Sequence, residues 1–301
     1  MKKLSLILLV VLFACVSNPA PENMQDETEV KVPVEDNKSD IVETPEEIPE
    51  ETRGPQSVMK TYPLLKSKIS YFSDGILDET RTYSYLEGTP ALLNEKAQDA
   101  YGVLVENIDY EIEKEKTVKK EYYDSLGKLK VFRLYEYGPS GNMVGEYLYD
   151  NTKALLTISQ YSYDQAGNKI EWTILGPQNN VLSLSEYAYR DGNLVEVNSY
   201  DESGNLVESF TYEYEEGLLY RYNHYNDSGK LADYSEYIYN EKGLPKSLTK
   251  RRANKSIISK SNYEYDDSGN MVKEILLDAK DKVKQTFVYD YEILERTETV
   301  R

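Results

Sequence analysis

From Tyr187 to Tyr239 the chain repeats one phrase: a strand ending in Tyr-x-Tyr, a polar turn closed by glycine, and a new strand opening on leucine. The turn glycines Gly192, Gly204, Gly217 and Gly229 are spaced 12, 13 and 12 residues apart. That period is one strand and one tight turn, so each unit reads as a single arm of an up-and-down meander. Within a unit the pattern alternates with period 2, which sends successive side chains to opposite faces. Leu206, Glu208, Phe210, Tyr212 and Tyr214 share one face; Val207, Ser209, Thr211 and Glu213 share the other. In the next unit Leu231, Tyr237 and Tyr239 return to the first face, and Asp233 and Ser235 interrupt it. Tyrosine suits a sheet without a thick core, because its ring covers neighbouring strands while its hydroxyl stays in water.

The same alternation predicts seventeen strands, from Lys66–Phe72 and Ile76–Leu86 through to Met271–Leu277 and Val283–Tyr291. Many turns read Asp-x-x-Gly or Asp-x-x-Gly-Asn, as at Asp124, Asp164, Asp201 and Asp266. There aspartate can accept a bond from the backbone two residues on, and glycine supplies the positive φ of a type I turn with a bulge. A calcium loop would need six or more converging oxygens, so these aspartates are read as turn chemistry. Asn151-Thr152-Lys153, Gln178-Asn179-Asn180, Ala253-Asn254-Lys255 and Lys280-Asp281-Lys282 stand where the period demands a turn but lack glycine. One interruption predicts a short helix near residues 90–101. Thr89 is placed to cap it, Pro90 to open it and Gly102 to stop it, with Leu93, Ala97, Ala100 and Tyr101 on one stripe. The expected fold is therefore all-β: an antiparallel meander forming an extended, twisted, open and partly single-layered sheet, with this one helix against it. Some seventeen strands at ~4.8 Å spacing give a sheet on the order of 80 Å long. The alternative is a closed barrel. A membrane-spanning barrel is disfavoured, because Glu, Lys and Asp occur on both faces where lipid would require an apolar band.

The units Tyr163-Asp164…Gly167-Asn168, Tyr200-Asp201…Gly204-Asn205-Leu206 and Tyr265-Asp266…Gly269-Asn270 resemble the tyrosine–aspartate (YD) repeats of the RHS family. Similar short β-repeats occur in MORN-like proteins. The resemblance covers residues 120–290. It implies a repetitive β-sheet; it does not carry over the toxin-enclosing shell of RHS proteins, for which the chain reads as too short. A free-standing sheet also resembles those of bacterial outer-surface lipoproteins.

Composition divides the chain. Residues 1–14 read as a secretory signal: Met1-Lys2-Lys3, then the apolar run Leu4–Phe13. Leu12-Phe13-Ala14-Cys15 resembles a bacterial lipobox, which makes Cys15, the only cysteine, the expected lipid-attachment residue. Residues 15–56 are an expected tether. Residues 16–56 hold six of the eleven prolines and twelve acidic residues, with no aromatic residue. Such a segment buries too little apolar surface to offset its ordering entropy. All 29 tyrosines lie between Tyr62 and Tyr291, so residues 57–301 are the expected β-repeat domain.

Candidate chemistry is sparse. One histidine, His224, rules out multi-histidine metal sites and reads as a surface strand residue. No phosphate-cradling glycine loop is present, and no metal or cofactor is expected. A net charge of −18 repels phosphate backbones, so nucleic acid is not an expected partner. The basic cluster Lys250-Arg251-Arg252 reads as a soluble turn. Tyr212, Tyr214, Tyr237, Tyr239 and Trp172 are candidates for stacking on a sugar or anchoring a protein, but Tyr recurs at the same place in nearly every unit, so the reading put first is cross-strand ladders that hold the sheet. The function these features imply is non-catalytic: a lipid-anchored protein of the bacterial envelope, expected at the outer membrane, whose repeat domain is a scaffold for a protein or glycan. A structural spacer is the second reading and an Asp/Glu hydrolase the third. The sequence leaves the oligomeric state open.

Overall fold

The computed structural model describes residues 56–300. The signal, Cys15 and the tether lie outside the described residues. All eighteen elements are strands: β1 (Gln56–Phe72), β2 (Leu77–Tyr85), β3 (Leu92–Asp99), β4 (Leu104–Glu113), β5 (Lys116–Asp124), β6 (Leu129–Tyr137), β7 (Met143–Asp150), β8 (Leu155–Tyr163) and β9 (Lys169–Leu175), then β10 (Val181–Arg190), β11 (Asn193–Asp201), β12 (Leu206–Glu215), β13 (Leu218–Asn226), β14 (Leu231–Tyr239), β15 (Pro245–Arg252), β16 (Ile257–Tyr265), β17 (Met271–Asp278) and β18 (Val283–Val300). Each pairs antiparallel with the next, and β1 pairs with both β2 and β18. The ring is complete: the sheet is a closed, 18-stranded barrel, with no helix among the described residues.

This corrects two expectations. The sheet is not open, because the alternation inside a strand carries no information about whether the two ends of a meander meet. The chain ends supply the seam. β1 begins ten residues before the expected Lys66, and the charged tail runs on as β18, with Gln56 opposite Val300 and Phe72 opposite Gln285. The expected helix at 90–101 is strand β3 and its flanking turns. Glu95, Ala97 and Asp99 face one way and pair with Tyr83, Arg81 and Glu79, while Asn94, Lys96 and Gln98 face the other. The helix signals were turn signals. Thr89 Oγ1 donates to the Leu86 carbonyl (2.9 Å) and accepts from Ala91 N–H (3.2 Å). Gly102, at φ 78°, closes the β3–β4 turn as other glycines close theirs. Pairing on both sides outweighs the local helix preference.

The turns follow the chemistry of their residues. At Asp124, Gly127 N–H donates to the Asp124 carbonyl (2.9 Å) and Asp124 N–H to that of Lys128 (3.0 Å). The Asp124 carboxylate accepts from the N–H groups of Leu126 and Lys128, each at 3.0 Å. Those bonds hold its pKa below the usual value, the Lys128 N–H foremost. Its oxygens serve its own turn. In the turns without glycine, Lys153, Asn179, Lys255 and Asp281 adopt positive φ of 61–69° themselves.

The register fixes the barrel's geometry. Tyr83 faces Glu95, and Glu95 faces Ile108, two residues short of Tyr110. The same two-residue advance recurs at each hairpin: Tyr212 faces Tyr222, which faces Ser235, two short of Tyr237. Nine such advances give a shear of about 18, equal to the strand number, which is the ratio that tilts barrel strands by about 36°. At ~4.8 Å between strands a circular section then has a backbone radius of about 17 Å. Substantial packing runs only between ring neighbours, so the sheet encloses a lumen.

Beyond the rim β1 and β18 continue alone as a two-stranded ribbon, since β2 pairs only with Ser67–Tyr71 and β17 only with Val283–Val288. Tyr62 and Lys60 both bond Glu298 across it. Arg296 forms a forked ion pair with Glu115, at the tip of the β4–β5 hairpin (2.6 and 2.8 Å).

Candidate functional site

The stagger places one side chain of each strand at a common level inside the barrel. On the even strands that residue is always tyrosine: Tyr83, Tyr110, Tyr135, Tyr161, Tyr187, Tyr212, Tyr237, Tyr263 and Tyr289. Burial raises the pKa of each, to about 12 for Tyr83, Tyr161, Tyr212 and Tyr263. Tyr289 lies close enough to Tyr83 for their charges to interact, so the belt closes across the seam.

Two residues on, a second tyrosine locks each hairpin. Tyr85 donates to the Leu65 carbonyl (2.9 Å), Tyr137 to Thr117 (2.8 Å), Tyr163 to Met143 (2.6 Å) and Tyr189 to Lys169 (3.1 Å). Tyr214, Tyr239, Tyr265 and Tyr291 repeat the bond to Leu194, Leu219, Pro245 and Met271. The acceptor is always 20 residues earlier. In β4 the equivalent position is Ile112, so that rung is missing. The repeat is therefore the two-strand hairpin of about 26 residues, not the single arm. The sequence does show this, since Tyr-x-Tyr recurs on every second strand.

Between the tyrosines, the odd strands contribute Lys68, Glu95, Lys120, Glu146, Trp172, Val197, Tyr222, Leu248 and Glu274. These divide the belt into two contiguous arcs. From β17 through β1 to β7 every odd position is charged. Arg81, one layer away, bonds Glu79, Glu95 and Glu106 (3.0–3.3 Å). Glu95 also accepts from Tyr110, and Arg133 pairs with Glu146. From β9 to β15 the odd positions are uncharged. Tyr161 and Trp172 stack with centroids 6.2 Å apart, and Tyr222 lies 6.2 Å from Tyr212 and 6.5 Å from Tyr237. Small residues make room for the rings: Ser185 is opposite Trp172, and the fully buried Ser235 is opposite Tyr222.

The residues singled out from the sequence are placed as follows. Tyr212, Tyr237 and Trp172 belong to the uncharged arc; Tyr214 and Tyr239 are rungs. His224 is not on the outer surface. It faces the lumen, stacked on Phe210 (centroids 4.7 Å apart), with Nε2 3.2 Å from Glu208 and Nδ1 3.2 Å from Asp233. Both contacts are hydrogen bonds only when both ring nitrogens carry protons. The basic cluster is divided by the pleat: Lys250 pairs with Asp233 inside (3.1 Å) and Arg251 with Glu236 outside (3.1 Å). Among the described residues no group of three metal-ligating side chains converges. The outward face carries Glu111, Glu136, Glu186, Glu213, Arg251 and Lys273. A charge such as Arg251 or Lys273 would cost ~2–4 kcal/mol at the middle of a bilayer and each glutamate less, so the face lacks the apolar band that lipid requires.

No protein-family model matches the chain, so the likeness to YD and MORN-like repeats rests on its own residues. No curated protein matches it by sequence. Among solved structures, a porin-like protein from Bacteroides uniformis is similar over 77% of this chain and 99% of its own, at 12% identity and a TM-score of 0.44. A porin-like protein from Bacteroides vulgatus is similar over the same shares, at 12% identity and a TM-score of 0.26. A chain of the Photorhabdus luminescens Tc holotoxin pore is similar over 75% of this chain but 15% of its own, at 12% identity and a TM-score of 0.27. At these values none of them places the chain in a family.

Proposed function

We propose that this protein is a lipid-anchored component of the bacterial envelope, held through Cys15, whose water-surrounded barrel binds a glycan chain in its lumen and turns over nothing. The observation that carries the reading is the uncharged arc: Tyr161, Trp172, Tyr187, Tyr212, Tyr222 and Tyr237 presented at one level on a rigid wall. Flat aromatic faces with polar edges suit sugar rings, which offer C–H faces and hydroxyl rims. The charged outward face supports a barrel standing in water rather than lipid, and the acidic, proline-rich residues 16–56 would hold it off the membrane. The repeated YD-like hairpin is, on this reading, the scaffold that sets the aromatic wall.

Trp172 is the only tryptophan, so its emission reports on the lumen alone. Titrating residues 53–301 with hexamers of β-linked glucose or N-acetylglucosamine should shift that emission saturably, at about 0.15 M salt where exposed charges are screened. Tyr222→Ala should weaken binding about ten-fold or more. An emission response to unfolded polypeptide and none to sugar would replace the glycan by a protein ligand. For the anchor, Cys15→Ser should leave an unlipidated precursor; mass spectrometry finding an unmodified mature N-terminus elsewhere in the natural protein would refute it.

A further inference from the structure

Several cations in the lumen are paired with carboxylates: Arg81 with three, Arg133 through Nη1 with Glu146, Lys250 with Asp233. Lys169 is different. It lies in the uncharged arc, on the lumenal face opposite Tyr163, and among the described residues its ammonium makes no ion pair or hydrogen bond. It sits instead on three rings, with Nζ 4.3 Å from the centroid of Tyr187 and 5.8 Å from those of Tyr161 and Trp172. Burial lowers its pKa, the direction expected of a cation short of a counter-charge. Two more donors in the same cluster are buried without an acceptor: Trp172 Nε1–H and the Tyr187 hydroxyl. Buried donors without partners are costly, and these two lie on the same aromatic wall as the unpaired Lys169 ammonium.

Resting on the reading of the lumen as a glycan site, we infer that Lys169, Trp172 and Tyr187 form a subsite for an acidic sugar, one whose ring carries a carboxylate. The carboxylate supplies the missing charge for Lys169 and has two oxygens to accept from Trp172 and Tyr187. The ring of the same sugar stacks on Tyr161 or Trp172. Lys68 and Lys120 also lie on tyrosine rings, but in the charged arc, where the neighbouring odd positions of the belt are glutamates. Lys169 is thus the one cation placed to select a charge within the stacking surface.

The test compares a hexuronate hexamer with the same hexamer after its carboxyls are reduced to alcohols, by calorimetry on residues 53–301. The acid form should bind about ten-fold tighter, the worth of one charge-assisted contact. Lys169→Met should abolish that preference, and Lys169→Arg should restore it. Removing an unpaired buried charge favours folding, and circular dichroism checks that it does. Equal binding of the two hexamers, or a preference that survives Lys169→Met, overturns the subsite while the lumen reading stands. Binding of neither hexamer, nor of the neutral glucose and N-acetylglucosamine hexamers, removes the lumen reading and the subsite with it.

Discussion

The two arcs of the lumen are built on the same belt tyrosines and differ in what stands between them. In the charged arc the odd positions are Lys68, Glu95, Lys120, Glu146 and Glu274; Glu95 and Glu146 pair with Arg81 and Arg133, while Lys68 and Lys120 rest on aromatic rings. In the uncharged arc they are Trp172, Val197, Tyr222 and Leu248, and polar atoms beside them remain unsatisfied. The even strands keep their belt tyrosine throughout and, all but β4, carry the rung that holds each hairpin, so they build the barrel. The odd strands vary and carry the difference between the walls, so they set what the lumen offers. One wall is dominated by ion pairs; the other is dominated by aromatic rings.

The sharpest way to break both arcs at once is alkali. Burial raises the pKa of the nine belt tyrosines, whereas an unfolded tyrosine ionises near pH ~10. A raised folded value means stability is fully present below about pH 10 and is lost as pH climbs through about 12. Tyrosinate absorbance and loss of strand dichroism should therefore rise together in that window. Ionisation of most tyrosines with the strand signal intact would show that the belt is not buried as described.

The next effect separates the arcs. Arg81→Leu leaves Glu79, Glu95 and Glu106 facing one another, and should cost about 2–4 kcal/mol in urea unfolding. Tyr222→Leu, in the other arc, keeps most of the apolar contact and should cost about 1 kcal/mol. Equal costs would mean that the charged network contributes nothing special.

The smallest effects test the rungs. Tyr214→Phe removes one hydroxyl-to-carbonyl bond and should cost about 1 kcal/mol. Ile112→Tyr should do the reverse. The 20-residue offset puts the Leu92 carbonyl in place to accept its hydroxyl, so the variant should gain about 0.5–1 kcal/mol. A loss there would mean that β4 is set differently from the other even strands.

Much of this was legible in the residues. Strand positions followed from period-2 alternation and turn chemistry, and glycine-free turns such as that at Lys153 were placed by spacing alone. The helix misreading at Thr89–Gly102 arose because a Thr cap, a Pro and a Gly stop serve a β-turn as well as a helix end. Closure was not legible. It depends on β1 meeting β18, and no residue in either announces a partner at the far end of the chain. The belt was half legible: the tyrosines of the even strands were seen, but its odd positions are Lys, Glu, Trp, Val, Tyr and Leu, which follow no common type. They become a group only when the stagger brings them to one level. Lys169 gave no signal at all, since an isolated lysine after a turn is ordinary in any strand.

The seam between β1 and β18 also sets an order of events. Every other pairing joins strands a few residues apart, whereas Phe72 and Gln285 are about 210 positions apart. Each doubling of loop length adds ~0.6 kcal/mol of closure entropy, so this one contact costs about 2.5 kcal/mol more than a hairpin spanning a dozen residues. The meander can zip locally from any hairpin, but the ring cannot form until its two ends find each other, and non-local contacts of this kind slow folding. The unusual length of β1 and β18 then acquires a kinetic meaning. A ribbon that runs beyond the rim offers the late-meeting ends more registered contact than any ordinary pair of strands. Cutting the chain at an interior turn and joining the start of β1 at Gln56 to the end of β18 at Val300 would move the slow encounter to shorter strands, and the same barrel would close more slowly and open more readily.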